Sequence, residues 1–255
     1  MKLFVISLRD AAVRRAAAIE QFQRTGLEFE FFDAVCGPSN LTSCAYNIDW
    51  RLYRLNTLRD PFPGEIGCYA SHLELWKLCV ERNEPIVILE DDFQLRADFS
   101  EVIGRLKTLI KQFGFIRLES YQRKSRFLKN LRPPFYRVPV KDNITICYVS
   151  DVPLCALAYA ISPRAASSLV DASATLVSPV DKYLQKTWLH HTPIFAVSPP
   201  VVEKSRHADE STIGTRQRKS LSPGLLLKRA LYKAQGELRR YEFDKRQLAA
   251  LGIER

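Results

Sequence analysis

The chain has 255 residues, 46% of them hydrophobic, with 14 Pro, 10 Gly and a single Met, and 38 Lys and Arg against 28 Asp and Glu for a formal charge of +10. These proportions lie near globular averages and exclude collagen-like, mucin-like and wholly disordered chains. The length fits one large domain, or one domain with an appendage.

The apolar run Lys2–Leu8 predicts a short strand, and its interruption by Arg9 and Asp10 does not fit a secretory signal. Ala11–Arg24 reads as an alanine-rich helix with Asp10 as its cap, and Phe29–Val35 as a second strand, which completes a βαβ unit. Residues 38–63 carry little periodicity. Pro63-Gly64 then introduces a helix over Glu65–Arg82, and Pro85 opens the strand Ile86–Leu89, which delivers Glu90, Asp91 and Asp92. A helix over Phe99–Phe113 closes at Gly114, followed by a strand Phe115–Leu118 and a long basic loop, Tyr121–Pro134. Strands are predicted at Arg137–Val140, Ile144–Val149, Leu154–Ile161 and Ile194–Val197, with helices at Ala165–Ala172 and Val180–Trp188. This order predicts an α/β fold: a mixed, mainly parallel central sheet with antiparallel additions, flanked by helices on one core.

Six cysteines at 36, 44, 68, 79, 147 and 155 include no Cys-x-x-Cys pair and no zinc knuckle, and read as thiols of a reduced, cytoplasmic setting. No apolar stretch approaches the ~18 to 20 residues that cross a bilayer. The positive charge is concentrated: Arg117–Lys141 and Arg216–Arg240 each hold eight basic residues and one acid, which points to an anionic partner at those segments. Neither interleaves aromatics regularly, and zinc-finger and RNP-type motifs are missing, so nucleic acid is not expected. From about Ser222-Pro223, Leu227, Leu231, Ala234, Leu238, Tyr241 and Leu248 recur at helical spacing beside Lys228, Arg229, Lys233, Arg239 and Arg240. That is a basic amphipathic helix, packed on the domain or lying at the headgroups of an anionic membrane; residues 216–251 are the segment expected to meet such a surface.

Three consecutive acids at the carboxyl end of an apolar strand repel one another and are costly to bury. A hard divalent cation held by carboxylate oxygens removes that cost; a solvated acidic turn is the plain alternative. Ligands of open α/β sheets gather at such strand ends. Dinucleotide, P-loop and nucleophile-elbow motifs do not occur, so a bound nucleotide would have its phosphates neutralised by metal and side chains.

Four ordered blocks resemble a known family: Val5-Ile6-Ser7-Leu8 with Arg14-Arg15, Phe31-Phe32-Asp33-Ala34-Val35-x-Gly37, Gly64-Glu65-Ile66-Gly67-Cys68 with Ser71-His72, and Ile88-Leu89-Glu90-Asp91-Asp92. They are similar to glycosyltransferase family 25, the lipooligosaccharide glycosyltransferases and related collagen galactosyltransferases, over roughly residues 2–202. The resemblance implies a GT-A-type nucleotide-diphosphosugar fold over 1–202; residues 203–255, which it does not cover, read from their own composition and spacing as a mobile basic segment and the amphipathic helix. The resemblance also implies a UDP-sugar donor, Mn²⁺ or Mg²⁺, inversion at the anomeric carbon and a lipopolysaccharide or lipooligosaccharide acceptor. By the same resemblance Asp92, with Glu90 and a late His207, would hold the metal. Ser7, Arg9, Asp33 and Asp91, with Glu65 and His72 beside them, would serve the donor. Inverting transfer also needs a base. Asp181, at the start of the Val180–Trp188 helix where the N-terminus is expected to keep it ionised, is the candidate, with an ordinary helix cap as the alternative; Glu119 and Asp151 stand in reserve. The expected protein is a cytoplasmic hexosyltransferase peripheral to the inner face of the membrane. The rival reading is a non-catalytic binding protein for anionic polymer or nucleic acid, using the same two basic segments.

Overall fold

The computed structural model describes residues 1–36, 46–122, 133–140, 144–205 and 223–253. In chain order the elements begin with β1 (Lys2–Ser7), α1 (Ala12–Thr25), β2 (Glu30–Asp33), α2 (Trp50–Thr57), α3 (Pro63–Arg82), β3 (Ile86–Glu90), β4 (Phe93–Leu95), α4 (Phe99–Phe113) and β5 (Phe115–Arg117). They continue with β6 (Phe135–Val138), β7 (Thr145–Val149), β8 (Ala158–Ile161), α5 (Pro163–Asp171), α6 (Val180–Leu184), α7 (Thr187–His190), β9 (Phe195–Ser198), β10 (Val202–Lys204) and α8 (Pro223–Ala250).

Eight strands form one sheet in the order β2-β1-β3-β8-β5-β9-β7-β6, and β4 pairs with β10 beside it. β8 and β7 run against the other six, so the sheet is mixed with a parallel majority. Strand alternation divides the core into two layers. Phe4, Ile6, Ile86 and Ile88 point into a cluster with Ile66, Tyr69 and Trp76 of α3, Leu169 of α5 and Tyr183 of α6. Leu3, Val5, Val87 and Leu89 point the other way, into a cluster with Phe22 of α1 and Phe99, Ile103 and Ile110 of α4. Near-continuous apolar strands are what a sheet covered on both faces demands.

Because β1, β2, β3 and β5 run the same way, their carboxyl ends share one edge of the fold. Register places Ser7 beside Asp33 and Ile6 beside Glu90.

Several local expectations are corrected. The stretch expected to be irregular contains α2, whose first turn is capped by Asp49 accepting from Leu52 N at 2.8 Å. Asp10 does not cap α1: Ala11 is the N-cap residue, with no side-chain cap. The single helix expected over Val180–Trp188 is two, α6 and α7, interrupted at Lys186, whose backbone is not helical. The strand expected from Leu154 starts at Ala158. β10 was not expected; it is stabilised by pairing with β4, a long-range partner that local periodicity does not reveal. The basic loop 121–134 lies largely outside the described residues.

α8 packs on the domain. Gly236 lets it approach closely: a Cβ there would stand 3.3 Å from Cζ2 of Trp188. Further along, Tyr148 donates to Asp244 Oδ1 at 2.7 Å, and Phe243 and Leu248 are buried. Gly236→Leu is expected to lower stability by about 1–3 kcal/mol in urea unfolding, because the added side chain lifts the helix from Trp188.

Candidate active site

Glu90 ends β3 and points to the α3 face, where His72 Nε2 lies 3.1 Å and Cys68 Sγ 3.6 Å from its Oε1. Burial acts to raise its pKa, but the bonds from His72 and Cys68 win, and the carboxyl is held below its ordinary value. Asp91 turns the opposite way. It accepts from Ser7 Oγ at 2.7 Å and from Arg14 at 3.1 Å, which ties the ends of β1 and α1 to β3.

Asp92 differs from both. Its Oδ1 is buried and has no hydrogen-bond partner among the described residues, and its Oδ2 is 3.6 Å from Lys204 Nζ on β10. Burial, reinforced by the charge on Glu90, raises its pKa. A carboxylate oxygen left over in this way, two residues from a second carboxylate, is the donor chemistry of a hard divalent cation, so the residues present fit one.

His72 is fully buried and ends a relay. Trp76 Nε1 donates to Tyr159 Oη at 2.8 Å, and Tyr159 Oη is 2.7 Å from His72 Nδ1. An indole nitrogen only donates. Tyr159 therefore accepts from Trp76, its hydroxyl pairs with His72 Nδ1, and Nε2 on the far side of the ring meets Glu90 Oε1. Cys68, His72 and Glu90 also bring three potential ligand atoms within 4.8 Å of one another. The relay already engages His72 Nε2 with Glu90.

The remaining candidates fall into two groups. Asp33, at the end of β2, accepts from Arg9 Nη2 at 2.7 Å and from Arg15, whose side chain also donates to Leu8 O and Ser7 O. The Arg15 and Arg9 bonds lower its pKa. Glu65 is buried in the first turn of α3 and accepts from Tyr53 at 2.9 Å, from Arg59 at 2.7 Å and from Phe62 N at 3.2 Å. Its oxygens are spent on joining α2 to α3, and it stays ionised below the usual range although burial works against it.

Asp181 lies in the first turn of α6 with Oδ1 accepting from Lys182 N at 2.7 Å. Contrary to the expectation from a helix N-terminus, its pKa is raised: burial dominates, Glu90 and Glu65 add repulsion, and a five-residue helix offers little dipole. Asp151 is occupied by Arg240 of α8 at 3.2 Å. His207 lies outside the described residues.

The sequence did not single out Lys204 or Tyr159, and it offered Glu119 as a reserve base without its buried partner Arg117. Arg117 Nη2 is 2.5 Å from Glu119 Oε1, yet among the described residues Nη2, Nε and both Glu119 oxygens have no aligned hydrogen bond, and both residues are buried. Burial outweighs the Arg117 charge and pushes Glu119 up to about 7. The available signal was two charged residues closing the apolar strand Phe115–Leu118.

A mixed sheet whose parallel strand ends gather acids, one of them lacking a partner, defines an α/β domain built to receive a charged ligand at that edge. The chain belongs to glycosyltransferase family 25: residues 1–184 match the family model described as "Glycosyltransferase family 25 (LPS biosynthesis protein)". It is 29% identical over 205 residues to procollagen galactosyltransferase 1-B of Xenopus laevis, covering 74% of this chain and 31% of that protein. It is 26% identical over 264 residues to the lacto-N-neotetraose biosynthesis glycosyltransferase LgtE of Neisseria meningitidis, covering 91% and 90%. A putative glycosyltransferase of Haemophilus influenzae is 38% identical over 103 residues, 39% of this chain and 35% of that protein. The chain thus spans about a third of the procollagen galactosyltransferases it matches and nearly all of LgtE.

Tyr159→Phe is expected to cost about 1–3 kcal/mol in urea unfolding, since it strands both Trp76 Nε1 and His72 Nδ1 in the core. A second expectation concerns pH. Glu119 binds its proton more tightly folded, at about 7, than unfolded, near 4.5, so its contribution to stability falls as pH rises through that window. The cost of Glu119→Gln should therefore be larger at about pH 5 than at about pH 8, as read from denaturation curves at the two values.

Proposed function

We propose that this protein is a metal-dependent, inverting hexosyltransferase that moves galactose or glucose from a UDP-sugar to a core sugar of a lipopolysaccharide or lipooligosaccharide. The reading takes the sheet as a GT-A-type nucleotide-diphosphosugar fold, with 1–202 as the catalytic domain and 203–255 as an appended basic segment. Its support is the family description, the near full-length similarity to the lacto-N-neotetraose biosynthesis glycosyltransferase LgtE, and above all one observation: the buried Oδ1 of Asp92, two residues from Glu90 in the chain and without a hydrogen-bond partner among the described residues.

Asp92 and Glu90 would hold Mn²⁺ or Mg²⁺, with His207 as a further ligand. When bound, the cation supplies Lewis-acid stabilisation of the charge on the departing diphosphate. Ser7, Arg9 and Asp33 line the edge on which the uridine rests; Asp91, fixed by Ser7 and Arg14, keeps β1 and β3 in register beneath it. His72 and Glu65 act from behind, the first orienting Glu90 and the second fixing α2 against α3. Asp181 Oδ1 is taken by Lys182 N, so Oδ2 receives the proton of the acceptor hydroxyl. A raised pKa suits that task, because a more basic carboxylate removes the proton more readily. No described helix is long and apolar enough to cross a membrane. The proposed location is the cytoplasmic face of the inner membrane, with no nucleic-acid partner.

UDP should raise the thermal midpoint in the presence of Mn²⁺ and not with chelator, and a panel of UDP-sugars should show slow, Mn²⁺-dependent hydrolysis of one hexose donor. Asp92→Asn should lose both effects while keeping its fold. Undiminished UDP and Mn²⁺ protection in that variant would reject the metal assignment.

A further inference from the structure

α8 faces the domain with the wrong side. The residues turned inward are Arg229, Tyr232, Gly236, Arg240 and Asp244, a polar and small stripe. Arg229 donates to Leu55 O at 2.7 Å, Lys186 Nζ to Tyr232 Oη at 3.3 Å, and Arg240 to Asp151 at 3.2 Å, while Gly236 rests on Trp188. On the opposite side of the same helix Leu227, Leu231 and Leu238 are 63%, 58% and 60% exposed. Helices of soluble domains bury the apolar stripe and wet the polar one. Here hydrogen bonds and ion pairs dock the helix along most of its length, apolar burial is confined to Phe243 and Leu248 near its end, and Leu227, Leu231 and Leu238 are left outside.

The exposed stripe has a charged border. Lys228, Arg239 and Arg246 are separated by eleven and seven residues, close to three and two turns, so they form a row along one flank, and Lys245 continues the leucine line two turns beyond Leu238. All four are exposed. The acids on this side of the helix are fewer, Glu237 and Glu242, and Glu237 is bonded to Arg240. Leucines bordered by cations match the boundary between acyl chains and anionic headgroups, where apolar burial and charge attraction add. A second copy of the chain fits less well: three leucines are a small part of the about 20–30 residues per side that a stable protein interface uses.

We infer that α8 seats the protein on an anionic lipid surface, with Leu227, Leu231 and Leu238 among the acyl chains and Lys228, Arg239 and Arg246 at the headgroups. The docked side of the helix then connects this surface to the candidate site. Tyr232 Oη lies 3.5 Å from Asn56 Nδ2, and Asn56 O accepts from Lys182 Nζ at 3.0 Å, next to Asp181. A lipid-borne acceptor would meet the site from the membrane on which the enzyme sits. The inference rests on α8 alone and stands whether or not the catalytic reading does.

Flotation of the full chain with phosphatidylglycerol-rich and with phosphatidylcholine vesicles tests it, alongside sedimentation analysis, thermal midpoint and UDP binding. The parent should float with the anionic vesicles about tenfold more than with the neutral ones. The combined Leu227→Ser, Leu231→Ser and Leu238→Ser variant should lose at least about tenfold of that flotation with an unchanged thermal midpoint, since the replaced groups are already in water. Lys228→Glu, Arg239→Glu and Arg246→Glu together should remove the preference for anionic lipid. A parent that stays with the unbound fraction, or a serine variant that floats as well as the parent, overturns the inference. So does a parent dimer that the serine variant converts to monomer without any vesicle binding. A parent that binds UDP but does not float counts against the lipid face only; a parent that floats but does not bind UDP counts against the proposed transferase only.

Discussion

Four carboxylates, Asp33, Glu90, Asp91 and Asp92, leave the sheet together at the carboxyl ends of β2 and β3, and parallel strands cannot avoid delivering them to one edge. Their mutual repulsion sets the constraint that the surrounding structure answers. Asp33 is answered by Arg9 and Arg15, Asp91 by Ser7 and Arg14, and Glu90 by His72 and Cys68. Among the described residues Asp92 has only Lys204 at 3.6 Å, and it is the member of the group with a raised pKa and an oxygen without a described partner. The unequal answers separate acids that hold the fold from an acid left to bind something.

α3 organises most of this edge. Glu65, Cys68, His72 and Trp76 follow one another at spacings of three and four, so they line one side of the helix in four successive turns. The first fixes α2, the next two hold Glu90, and the last anchors the Tyr159 hydroxyl that pairs with His72 Nδ1. Rigid placement of Glu90 therefore comes from a helix and a central strand, not from a loop, which is the geometry that keeps a ligand-binding carboxylate within a narrow range of positions.

α8 carries a different lesson. A helix that docks through arginine, tyrosine and aspartate is directed by specific partners, Leu55 O, Lys186, Asp151 and Tyr148, that a hydrophobic stripe would not select. Polar docking fixes the rotation of the helix about its axis and so fixes which residues remain outside. The apolar stripe is then available for a solvent other than water.

Much was legible locally. Alternating apolar strands, the helices of 63–82 and 99–113, the acidic strand end and the family blocks are carried by neighbouring residues, because strand and helix periods act over a few positions. The misses were of another kind. β10 depends on β4 across more than a hundred residues of chain, the split between α6 and α7 appears only once Lys186 has turned toward Tyr232, and α2 was announced only by Asp49. The sequence alone thus determined which side chains reach the edge of the sheet and that α8 has two unlike faces. Tertiary structure decided which acid is left without a partner and which face of α8 turns inward, because both depend on groups brought close from distant parts of the chain, and no local period encodes that approach.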